Sequence, residues 1–172
     1  SMVGAGWYYA ACNMLYYVIR PKALVGYAIY MVLVQFGVQQ IYFALADADM
    51  NLETVTALYY TIETVNFTIH AIVLAILLYR QHGGMFIQVL SAVAFCYCGF
   101  YVPYSISEEL MLTWYMATDI MEVWGVMLTS IVPHIVATLC AVLVGWVMRK
   151  LRFRVFFDIL YQRRFGRLYI KG

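Results

Sequence analysis

One carboxylic acid, Glu63, stands inside an otherwise apolar stretch, and other polar groups stand beside it. Tyr59, Glu63, Asn66 and His70 follow at i, i+4, i+7 and i+11, which places them on one face of a helix. A carboxyl there is a candidate acid/base, and the phenol, amide and imidazole are candidate contacts for a ligand. Polar groups within a bilayer are costly, and they mark functional positions by default. Other apolar stretches offer matching groups. Gln35, Gln39 and Tyr42 share a face of the stretch before. Ser130, His134 and Thr138 share a face of the last, where Pro133 frees a backbone carbonyl one turn earlier. The third contributes Gln88, Ser91, Cys96 and Cys98. Glu63 is thus the candidate catalytic residue. Gln35, Gln39, Tyr59, Asn66, His70, Ser130 and His134 are candidate ligand-binding residues. The competing reading is that the amides and hydroxyls bond one another and hold the helices together.

The elements that must position these groups follow from composition. The chain has 172 residues, 65% hydrophobic and 12% charged, with mean hydropathy +0.80. A soluble domain carries about 25% charged residues, so lipid is the solvent here. A spanning helix needs about 20 mostly apolar residues. Residues 23–46, 54–79, 85–104 and 122–148 meet that length, and Pro103 is expected to end or kink the third. Residues 3–19 are shorter and rich in Trp and Tyr, which suits either a fifth, short span or a helix lying in the interface. Residues 149–172 mix basic and apolar-aromatic clusters, as a surface-lying basic amphipathic helix does. The expected fold is a single all-α, polytopic transmembrane bundle of four long spans with a short N-terminal and a basic C-terminal helix.

Charge placement sets the expected topology. Lys and Arg occur only at Arg20 and Lys22, at Arg80, and from Arg149 onward. Asp47, Asp49, Glu53, Glu108, Glu109, Asp119 and Glu122 form the opposite group. With four spans between them the two groups alternate sides. The positive-inside rule then puts the basic ends and the C-terminus in the cytoplasm or an organelle matrix. Counting from the basic end at about 1.5 Å per residue, Glu63 lies about 25 Å deep, His134 about 22 Å and His70 about 15 Å.

Several motifs are set aside. Cys96-Tyr97-Cys98 is not the C-x-x-C of redox or zinc sites, so the four cysteines read as buried apolar thiols. The alternation from Asp47 to Glu53 opens like a calcium loop, but Leu52 and Leu58 stand at its required Gly and Glu positions. Asn66-Phe67-Thr68 is a sequon that the bilayer hides. No metal site is expected. A haem held by His70 and His134 is disfavoured because their depths differ by about one helical turn. Membrane lipids, a lipid-like ligand and other membrane subunits or further copies are the expected partners. Nucleic acid is not.

Ile62-Glu63-Thr64-Val65, followed by Arg80-Gln81-His82, Phe86-Ile87 and Gly99, resembles part of the EXPERA family over residues 60–100. That family includes the emopamil-binding sterol isomerases. The resemblance implies a small multi-span bundle around a membrane-embedded lipid pocket, with Glu63 at the position of the family's second catalytic acid. The isomerases carry a His and a Glu one turn apart on the preceding span. The matching face here has Gln35 and Gln39, so the resemblance implies ligand binding more than isomerisation. A different class of function, a non-catalytic subunit of a membrane assembly, fits a chain with so little mass outside the bilayer. Proton or ion passage along Glu63, His134 and His70 is opposed by the apolar stretch from Ala71 to Leu78.

Overall fold

The computed structural model describes residues 2–118, 123–155 and 159. Five helices follow in order: α1 (Met2–Leu15), α2 (Pro21–Asp47), α3 (Leu52–His82), α4 (Phe86–Thr118) and α5 (Val123–Lys150). Helices α2 to α5 are each long and apolar enough to cross a membrane. The chain is a multi-pass integral membrane protein, and the expected all-α bundle is what the structure shows.

Contacts between helices give their directions. Tyr42 meets Tyr59, Asn66 meets Gln35 and Tyr27 meets His70, so α2 and α3 run antiparallel. Phe86 meets Tyr79 and Tyr104 meets Phe67, which reverses α4 against α3. Tyr104 also meets His134, while Gly99 faces Val144, which reverses α5 against α4. Arg20, Lys22, Arg80, Arg149 and Lys150 therefore gather at one end of the bundle. Asp47, Asp49, Glu53 and Glu109 gather at the other. Asp119 and Glu122, with the expected start of the fourth span, lie outside the described residues.

Helix α1 packs among the long helices. Its 14 described residues reach about 21 Å. It is buried among the spans rather than laid on the surface, with Trp7, Tyr8, Ala11, Cys12 and Leu15 fully inaccessible. Gly6 abuts Thr138 and Ala10 abuts Gly145, and Asn13 pairs with Arg149. Helix α1 thus runs parallel to α5, in the basic half of the bundle. A short, mostly apolar helix looks alike in sequence at an interface and in a core, which is why periodicity could not choose.

The end of α1 is locked by a compact knot. Tyr16 adopts φ 59, and Tyr17 N–H donates to the Cys12 carbonyl at 2.9 Å, the long bond of a Schellman turn. A left-handed tyrosine is costly. Its hydroxyl offsets this by donating to the Arg149 carbonyl at 2.7 Å, and its ring lies 5.3 Å from the Arg149 guanidinium. Arg149 Nη1 in turn donates to Asn13 Oδ1 at 2.9 Å. Asn13 is buried, so Asn13→Ala strips a charged donor of its acceptor. We expect a stability loss of about 1.5–3 kcal/mol, read as a lower midpoint of detergent-driven unfolding. An unchanged midpoint would show that the knot is ornamental.

The other helix ends follow their residues. Asn51 caps α3, its Oδ1 accepting from Glu53 N–H at 3.3 Å. Gly83 and Gly84 supply the positive φ values of the turn into α4. Pro103 does not end the third span: α4 runs on through it to Thr118. Proline removes one backbone bond, and in a membrane bundle neighbouring helices make that loss tolerable. Beyond α5, Arg152 turns the chain at φ 55, Gln88 donates to the Arg154 carbonyl at 3.3 Å, and Phe153 is buried. Most of the expected C-terminal surface helix, residues 156–158 and 160–172, lies outside the described residues.

Candidate functional site

Among the described residues, α1 packs against the basic half of the bundle. Two adjoining cavities occupy the acidic half. The first, of 410 Å³, is polar. Helix α2 gives it Gln35, Gln39 and Tyr42; α3 gives Tyr59, Glu63, Asn66 and Phe67. Helix α4 gives Tyr104 and Glu108, and α5 gives Thr129, Ser130 and His134. The second, of 480 Å³, is largely apolar, with Val3, Met31, Val32 and Phe36 in its wall beside His70. Gln35, Gln39, Phe67 and His134 line both. Val32 and Phe36 are exposed, so the apolar arm opens sideways on the lipid-facing surface of α2.

The i, i+4, i+7 spacing on α3 accounts for Tyr59, Glu63 and Asn66 facing the polar chamber together. Asn66 Nδ2 donates to Gln35 Oε1 at 3.4 Å, joining α3 to α2. The Tyr42 and Tyr59 rings lie 4.8 Å apart. On α5, His134 Nδ1 sits 2.7 Å from the Ser130 carbonyl. A carbonyl only accepts, so Nδ1 carries a hydrogen there. The His134 ring also stands edge-on to Tyr104, centroids 5.0 Å apart.

His70 is placed differently. It lines the apolar arm and not the polar chamber, at 1% exposure. Tyr27 hydroxyl donates to its backbone carbonyl at 2.8 Å, and the Tyr30 ring meets it edge-on at 5.4 Å. Its Nδ1 is buried with no partner among the described residues, which is costly unless something else bonds it. Both histidines reach the apolar arm, but among the described residues no three or more His, Cys, Asp or Glu cluster as metal ligands would.

Sequence reasoning placed Glu108 in an acidic connection; the structure puts it in α4, in the cavity wall with Glu63. The signal was present, since Tyr104 and Glu108 are i and i+4, but it is invisible once the helix is ended at Pro103. Phe67 and Thr129 were also missed as wall residues. Of the thiols, Cys12 and Cys96 are buried in the core and Cys98 is exposed. Comparison with protein-family models, curated proteins and solved structures finds no match to this chain.

Proposed function

We propose that the chain binds a lipid- or sterol-like amphiphile within the bilayer. Its polar head would occupy the chamber of Glu63, Asn66 and His134, and its apolar body the arm between Met31, Phe36 and Phe67. The observation that carries this reading is the shared wall: a polar and an apolar cavity meet at Gln35, Gln39, Phe67 and His134. Together they give a pocket the polarity profile of an amphiphile. The described wall has two carboxyl groups and no Lys or Arg, which disfavours an anionic head. His70 Nδ1 supplies one further hydrogen-bonding group, on the apolar side. The EXPERA resemblance supports the same class of ligand, and Gln35 and Gln39 favour holding it over isomerising it. By the positive-inside rule the basic end and the C-terminus face the cytoplasm or matrix.

The test is mass spectrometry of small molecules retained by the detergent-purified chain. Wild type is expected to keep a lipid-like species. Glu63→Gln should lower its retention about tenfold, the worth of one charge-assisted hydrogen bond, without moving the unfolding midpoint. Equal retention would take the acid out of the reading, and an empty wild-type protein would sink it.

One observation favours a second reading, membership in a larger assembly. The most apolar window of α2 is only 11% buried, against 28–33% for the other three spans. A partner helix on that face would raise it. A single-copy mass for the mildly solubilised protein, with no companion chain, would dismiss this reading.

A further inference from the structure

A separate cavity opens at the basic end, where α1 turns into α2. It measures 720 Å³ and is lined by Ile19, Arg20, Pro21, Lys22, Ala23 and Gln81. A shallow, open depression adjoins it, sharing Pro21 and Lys22 and running along the face of α2 past Val25, Gly26 and Ile29. Val25 and Ile29 are exposed, and a Cβ on Gly26 would meet nothing within 4 Å. This shallow groove is thus open, and it leads from Lys22 about 10 Å toward the bilayer interior.

The basic cavity is held in shape from below. Tyr8 hydroxyl accepts from Arg20 backbone N–H at 3.4 Å and donates to Gln81 Oε1 at 3.2 Å. The Gln81 carbonyl is therefore engaged, and its amide N–H groups are the end available to a ligand. The start of α2 has no side-chain cap, so its first-turn N–H groups add to the positive potential of Arg20 and Lys22. Neither lining includes a carboxylate among the described residues.

We propose that this is a site for one anionic phospholipid, its phosphate between Arg20 and Lys22 and an acyl chain in the groove over Gly26. Two cations at the interface with an open apolar depression on α2 running from them into the membrane match such a molecule in charge and in shape. A soluble phosphate would use only the upper half. The site is independent of the carboxyl-lined chamber, which lies in the opposite half of the bundle and disfavours an anionic head.

Native mass spectrometry of the full chain in detergent tests it, with equimolar dioleoyl phosphatidylglycerol and dioleoyl phosphatidylcholine as probes. Wild type should retain the glycerol lipid over the choline lipid about tenfold. Arg20→Gln with Lys22→Gln should bring the ratio near one, and Arg20→Lys with Lys22→Arg should preserve it. Gly26→Leu, filling the groove at an open position, should lower retention of the anionic lipid severalfold. Excess glycerol phosphate should leave the bound lipid in place. The proposal is overturned if wild type holds both lipids equally, or if the double glutamine variant keeps the preference and so assigns it to the C-terminal arginines. Displacement by glycerol phosphate, or full retention by Gly26→Leu, would equally overturn it by showing that the groove holds no chain.

Discussion

Gly145→Val is expected to lower stability by about 3 kcal/mol, the upper end for overpacking a helix contact. A Cβ at Gly145 would lie 2.6 Å from the Ala10 carbonyl oxygen and 2.8 Å from the Ala10 Cα. Those are backbone atoms of α1, and no rotamer change moves them aside. Small residues at such crossings let two helix backbones touch, and in lipid this close packing does much of the work that water does elsewhere. A valine forces α1 outward, and α1 carries the fully buried Trp7, Tyr8 and Leu15. Gly37 is the control, since a Cβ there would meet nothing within 4 Å. Gly37→Ala should be neutral or slightly stabilising, because glycine weakens a helix interior. The measurement is the midpoint of unfolding from mild detergent into dodecyl sulfate. If the two variants shift it equally, α1 does not touch α5 as described.

Trp7→Ala should be more damaging still, at about 3–5 kcal/mol. Trp7 is fully inaccessible. Its ring lies 5.2 Å from Phe100 and 5.9 Å from Tyr97, both edge-on, and 6.1 Å from Phe67. One side chain of the short helix thus ties together two long spans. Its Nε1 finds no hydrogen-bond partner among the described residues. Trp7→Phe keeps most of the side chain's shape and should cost less than about 1.5 kcal/mol. Phe67 also forms part of the cavity wall, so Trp7→Ala is expected to weaken retention of the proposed amphiphile as well as the fold. An alanine variant as stable as the phenylalanine one would remove Trp7 from the core.

Much of the scaffold was legible because lipid imposes a simple rule on sequence. About 20 apolar residues must run unbroken, and the four long stretches of this chain do. The polar positions were legible for the same reason, since a carboxyl or imidazole is conspicuous against Leu, Ile and Val. Seven of the eight residues singled out, all but His70, line the polar chamber, and His70 lines the arm beside it. What they do there is a separate matter that spacing does not address. Two features were not legible. Pro103 was read as ending or kinking the third span, which left the fourteen residues 105–118 of α4 out of it and with them Glu108. The depth and direction of α1 depend on Gly6, Gly145, Asn13 and Arg149 meeting across the fold, and contacts between such distant residues leave no local pattern.

Helix α2 is attached to α3 by a few widely spaced contacts, at Tyr27, Gln35 and Tyr42, yet it forms a wall of both central cavities. For the proposed amphiphile, this leaves a route from the side, by diffusion within the leaflet, without first dissolving in water. Its loading rate would then follow its mole fraction in the membrane rather than its aqueous concentration. Two compounds of equal affinity but unequal partitioning would fill the protein at different speeds.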